Sequence, residues 1–92
     1  MVFSSYNVKF KRGTEDWIIA EGEIRNDSSR SYSLAVFRIV VYDKKEALGH
    51  GMIKLYSFGA KTTRPFEILI ENVSCELLSG IVRYEIVMES GR

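Results

Sequence analysis

Apolar and polar residues alternate one for one along most of this chain, and that period of two limits the fold more than any other feature. Tyr6, Val8 and Phe10 interleave with Asn7, Lys9 and Lys11. Ile18, Ala20, Gly22 and Ile24 interleave with Trp17, Ile19, Glu21, Glu23 and Arg25. Near the end, Val82, Tyr84, Ile86 and Met88 interleave with Arg83, Glu85, Val87 and Glu89. Successive side chains of a strand point to opposite faces, so each segment reads as a strand with one face in the core and one in water. Composition agrees. Valine, isoleucine and threonine total 20 against four alanines, and β-branched side chains suit a pleated surface better than a helix.

The remaining segments fit the same scheme. From Leu34 to Tyr42 the chain is apolar on both faces, with Ala35, Phe37, Ile39 and Val41 on one side and Val36, Arg38, Val40 and Tyr42 on the other. Such a strand is expected to be central in a sheet. Leu48–Phe58 is a glycine-containing strand with weaker alternation, and Pro65 stands at the entry to Phe66-Glu67-Ile68-Leu69-Ile70, where a missing backbone donor is tolerated. Turn chemistry separates the strands at Gly13–Asp16, Asn26–Ser31, Asp43–Glu46 and Gly59–Thr63. Val73, Leu77 and Leu78 fall at helical spacing, which predicts one short helical turn over residues 73–79, ending near Gly80.

Six or seven short antiparallel strands in 92 residues predict a single all-β domain over 1–92, a two-sheet β-sandwich. A small closed barrel is the alternative. A chain this short buries about 60–65% of the surface its unfolded form exposes, so a core and a deep substrate cavity compete for the same apolar residues. Cys75 is the one cysteine, which excludes an intrachain disulfide and a thiolate zinc cluster. Thirteen Lys+Arg against twelve Asp+Glu leave a formal charge of +1, without the basic excess of a protein that holds nucleic acid by bulk charge.

No stretch approaches the roughly 18 apolar residues of a membrane span. The start, Met1-Val2-Phe3-Ser4-Ser5-Tyr6, lacks the basic region and apolar run of a signal peptide. A cytoplasmic location follows for the sequence as given, and an extracytoplasmic one if a leader or anchor is removed from it. Asn26-Asp27-Ser28 and Asn72-Val73-Ser74 match the glycosylation sequon, a match of three residues that arises readily by chance.

Ile39-Val40-Val41-Tyr42-Asp43 carries a further signal. With Ala20–Asn26, Leu48-Gly49 and Pro65–Ile68, it resembles the FxLYD domain family, named for a phenylalanine-x-leucine-tyrosine-aspartate motif. Ile39 and Val41 stand where the family has phenylalanine and leucine, and Tyr42 and Asp43 match directly. The resemblance spans residues 17–70. It implies an immunoglobulin-like sandwich of the kind found in bacterial and archaeal proteins, with no catalytic residues to carry over. In that frame Ile39 and Val41 face the core, Tyr42 caps the sandwich edge, and the Asp43 carboxylate accepts backbone N–H groups two or three residues on. Gly22 gives room to a large neighbour or a second backbone, and Asn26 folds back on its own loop.

No catalytic constellation accompanies these motifs. His50, the only histidine, lies between Gly49 and Gly51 with no adjacent nucleophile and orienting carboxylate, and reads as a surface residue. Cys75 sits near Leu77 and Leu78 and reads as a small hydrophobe. Glu15-Asp16 and Asp43 with Glu46 match no calcium-binding loop. The surplus lies on the outer faces. Trp17, Ile19, Val36, Arg38, Val40 and Tyr42 stand opposite the core rows, forming one interaction surface if their strands are neighbours and two if they are not. The alternative to exposure is cover from loops and the 72–80 segment.

The expectation is therefore a non-catalytic interaction or accessory module without cofactor or metal. Its expected partner is another protein or a second copy in a homodimer, with neither nucleic acid nor membrane favoured. The second reading is a small ligand- or oligonucleotide-binding barrel using Lys9, Lys11, Arg12 and nearby aromatics.

Overall fold

The computed structural model describes residues 2–92, with the side chains of Thr14, Asn72 and Cys75 outside that description. The readings of Cys75 as a small hydrophobe and of Asn72 as a sequon therefore lie outside the described residues.

Each alternating segment forms a strand: β1 (Phe3–Arg12), β2 (Trp17–Asn26), β3 (Tyr32–Tyr42), β4 (Ala47–Phe58), β5 (Thr63–Ser74) and β6 (Arg83–Gly91). The chain is all-β, and every described pairing is antiparallel. Hydrogen-bonded neighbours follow the order β1-β2-β5-β4-β3-β6, one curled sheet. Its inner face holds the core, where Ile18, Ala20, Ile24, Phe37, Ile39, Val41, Ile53, Phe58 and Ile70 are essentially inaccessible to water.

The curl turns on β4 and β5. Among the described residues only His50 and Glu71 are joined across them in register, so two three-stranded halves, β1-β2-β5 and β4-β3-β6, meet at one corner. Gly49 and Gly51 make that corner. A Cβ at Gly49 would strike the Glu71 carbonyl oxygen, and one at Gly51 would lie 2.7 Å from the Leu69 carbonyl oxygen. A side chain at either position would force the two backbones apart. Once the glycines are read as inner positions the alternation of β4 is regular: Gly49, Gly51, Ile53 and Leu55 are buried, and His50, Met52, Lys54 and Tyr56 face outward. At Pro65 the strand borders β2 alone among the described pairings, which leaves the other side of β5 without a ladder to break.

Besides Val82, which precedes β6 and is 55% exposed instead of joining its inner row, two details depart from the sequence expectation. Tyr6 does not share a face with Val8 and Phe10. A bulge with Asn7 at φ 53° shifts the register between Tyr6 and Lys9, so Tyr6 pairs with the outer Glu23 and is 46% exposed. An extra residue reverses the phase of a two-residue repeat. The bulge brings the Val8 backbone within 3.0 Å of where a Cβ on Gly22 would lie, so of the two expected neighbours it is a second backbone, that of β1, that requires glycine there. The second departure concerns Val73, which belongs to β5 and is buried there; the helical turn is a 3-10 segment beginning only at Cys75 and running to Gly80.

Side chains, rather than backbone bonds, bring β1 towards β3 and β6. Phe3 packs edge-on against Phe37 with centroids 5.1 Å apart, and Phe10 meets Tyr84 at 5.9 Å. Between these contacts the sheet stays open.

Candidate functional site

The polar residues that the sequence singles out have structural neighbours. Asn26 is fully buried at the end of β2. Its amide donates to the carbonyls of Arg30 (2.8 Å) and Gly59 (3.2 Å), and its side-chain oxygen accepts from the Ser28 N–H (3.0 Å) and hydroxyl (2.6 Å). One side chain thus closes the β2–β3 loop and anchors the β4–β5 connection to it. At the opposite end, Asp43 Oδ1 accepts the N–H groups of Lys45 (2.7 Å) and Glu46 (2.8 Å). Those donors, Glu46 first, hold the Asp43 carboxyl below its ordinary range. Tyr42 lies on the outer face under the Arg83 guanidinium, 3.9 Å from the ring centre, while Ile39 and Val41 are buried.

The basic residues of β1 have carboxylate neighbours. Lys11 Nζ lies 3.0 Å from Glu21 and 3.4 Å from Glu67, and Arg12 is 2.9 Å from Asp16. Glu21 and then Glu67 raise the Lys11 pKa, and Lys11 in turn lowers that of Glu21. Asp27 is lowered mainly by the Ser4 hydroxyl, then by Arg25. His50 faces Glu71 across the β4–β5 corner at 3.6 Å. Among the described residues no three His, Cys, Asp or Glu side chains converge as a metal site, and no helix is long and apolar enough to cross a membrane.

The outer-face residues divide in two. Trp17 and Ile19 lie on β2, while Val36, Arg38, Val40 and Tyr42 lie on β3, with β5 and β4 between the two strands. Trp17 is 41% exposed beside Val73 and Ser74 at the end of the first half, and Ile19 pairs with Leu69. The β3 group sits centrally in the second half. Cross-strand register sets Tyr56 opposite Leu34, Met52 and Val87 on either side of Arg38, and His50 and Glu85 on either side of Val40. Tyr56 (62%) and Val87 (57%) are the most exposed of these, and Arg38 is tied to Glu89 at 2.8 Å. Sequence reasoning missed Met52, Tyr56 and Val87 as members of this face. For Met52 and Tyr56 the signal was the β4 alternation, legible only when Gly49 and Gly51 count as inner positions; Val87 stands on the outer row of β6 in the sequence, but only sheet order sets it beside Arg38.

A second feature is a cleft of about 420 Å³ between the edge strands β1 and β6, lined by Phe3, Ser4, Ser5, Ile24, Phe37, Tyr84 and Ile86. No backbone pairing joins these strands among the described residues, and the side chains of Ser5 and Tyr84 approach across it, at 3.3 Å. Inward-facing Phe3, Val8, Phe10, Tyr84, Ile86 and Met88 are only partly buried.

Compared with known protein families, with curated proteins and with solved structures, the chain matches none.

Proposed function

We propose that this chain is a non-catalytic, immunoglobulin-like β-sandwich of the FxLYD kind, acting as a protein-interaction module through the outer face of its β4-β3-β6 half. The sandwich reading draws support from the near-division of the sheet. The first, second and fifth strands form one half and the third, fourth and sixth the other, the distribution of strands A, B, E and C, C′, F in immunoglobulin-like domains. The FxLYD reading rests on Tyr42-Asp43 ending the central strand, on the Asp43-capped turn, and on the buried pair Ile39 and Val41.

The observation that carries the functional reading is the outer face itself, where Leu34, Val36, Val40, Met52, Tyr56 and Val87 lie among Lys54 and the ion pairs Arg38–Glu89 and Arg83–Glu85. Contiguous apolar surface rimmed by charge marks interaction sites, and an aromatic beside an arginine is the usual anchor chemistry. Inside the fold, the prominent polar groups hold loops: Asn26 one end, Asp43 the other. That division of labour supports a binding role over a catalytic one.

The test is in-cell crosslinking from a photo-reactive phenylalanine at position 56, with position 23 on the other half as the comparison. Discrete adducts from 56 and none from 23 are expected. No adduct from 56 contradicts the reading.

A further inference from the structure

We infer that two copies of this chain pair through β6, edge to edge and antiparallel, about a two-fold axis centred on Ile86. This rests on the interaction reading above and names its partner, a second copy of the chain.

β6 is an end strand of the sheet, bonded to β3 on one side only among the described residues. An unpaired edge offers a row of N–H and C=O groups to another strand. Arg83 to Met88 run in regular register beside β3, and the register shift in this pairing comes later, between Met88 and Ser90. No proline or lysine interrupts β6, and Ile86, Val87 and Met88 form its centre.

The sequence of β6 then favours one register over its neighbours on either side. A two-fold antiparallel pair joins like faces only when the axis passes through a residue rather than between two. Centred on Glu85, that residue opposes its own copy. Centred on Val87, Glu85 opposes the partner's Glu89. Both place like charges directly opposite, which destabilises a strand pair. Centred on Ile86, Arg83 opposes the partner's Glu89, Tyr84 opposes the partner's Met88, Ile86 meets Ile86, and Glu85 lies against Val87.

Charge and shape agree with that register. Arg83 and Glu89 lie on the outer face, Arg83 over Tyr42 and paired with Glu85 at 2.8 Å and Glu89 paired with Arg38, so the partner's Arg83 would join a Glu89 that is already oriented. On the inner face, Tyr84, Ile86 and Met88 are half-buried beside the open cleft. A strand laid along β6 would add to the cover that Ser5 and Phe10 of β1 already give Tyr84.

Light scattering and sedimentation of the 92-residue chain, over about a hundredfold range of concentration, are expected to give a concentration-dependent dimer. Arg83→Glu and Glu89→Arg each turn two attractive pairs into two repulsive ones and are expected to weaken dimerisation by at least about tenfold. The double variant restores the pairs across the axis. Within each chain it still sets the new carboxylate near Glu85 and the new guanidinium against Arg38, like charge beside like. Its recovery of the dimer can therefore come only from the interface. Circular dichroism confirms that each variant is folded. A chain monomeric throughout, a dimer indifferent to either single change, or a double variant that stays monomeric overturns the proposal. If adducts from position 56 persist in any of those cases, the interaction module stands and only the self-pairing falls.

Discussion

Both edges of the sheet carry charge and one register shift, but the shift interrupts the middle of β1 and only the far end of β6. β1 carries a bulge at Asn7 and presents Lys9, Lys11 and Arg12 along its length, with Lys11 and Arg12 matched to acidic neighbours. These are the devices by which natural proteins keep an edge strand from pairing with another chain. β6 is regular from Arg83 to Met88 and apolar at its centre. Both edges flank the same cleft, so their difference is not one of location. What it teaches is that the molecule protects one edge and leaves the other available, and that the available one borders the apolar outer face of β3.

That contrast depends on the corner where the two halves meet, and breaking the corner or the core beside it gives the largest effects. Gly49→Ala sets a methyl group against the Glu71 carbonyl oxygen. Backbone must move, and a loss of about 3 kcal/mol or more in chemical denaturation is expected; a change under about 1 kcal/mol contradicts the close approach. A substitution on each side of the core sharpens the comparison next. Phe37→Ala, fully buried on β3 and packed on Phe3, is expected to cost about 3–5 kcal/mol. Ile86→Ala, only partly buried on the open edge, is expected to cost less than half of that in the monomer, measured at low concentration.

The β1 bulge is tested at Asn7, whose φ of 53° lies in the left-handed region. A β-branched residue is strained there, so Asn7→Val is expected to destabilise by about 1–2 kcal/mol. Asn7→Gly is expected to fall within about 0.5 kcal/mol of the parent, because glycine adopts that conformation without strain. Equal effects of the two would remove the bulge from the account.

The smallest effect is on pH. Asp43 has a folded pKa below its ordinary 3.8, so its capping bonds stabilise the fold above that value. The stabilisation is lost as pH falls through the depressed value. Acid titration of stability below about pH 4 is expected to be shallower in Asp43→Asn, which keeps an acceptor oxygen without the charge. An unchanged slope contradicts the assignment.

Much of this architecture is legible in the sequence because it is local. Alternation marks all six strands, Asp43 announces its turn, and Asn26 its loop. What stays hidden is set by partners distant along the chain. The Asn7 bulge leaves Tyr6, Val8 and Phe10 looking like one face, since nothing in six residues shows where an extra one is inserted. Gly49 and Gly51 read as weak strand until β5 is seen against them. The sequence leaves open whether the six outer residues from Trp17 to Tyr42 form one surface or two; β5 and β4 intervene, so they form two, and the members that join Val36 and Val40 come from β4 and β6. Sheet order, not residue pattern, decides which side chains meet.

Amide hydrogen exchange at low and high protein concentration tests the central claim, that β6 is the available edge, most directly. Raising the concentration is expected to slow exchange within residues 84–88 and to leave β1 unchanged. Equal exchange at both concentrations, or slowing along β1 instead, contradicts it.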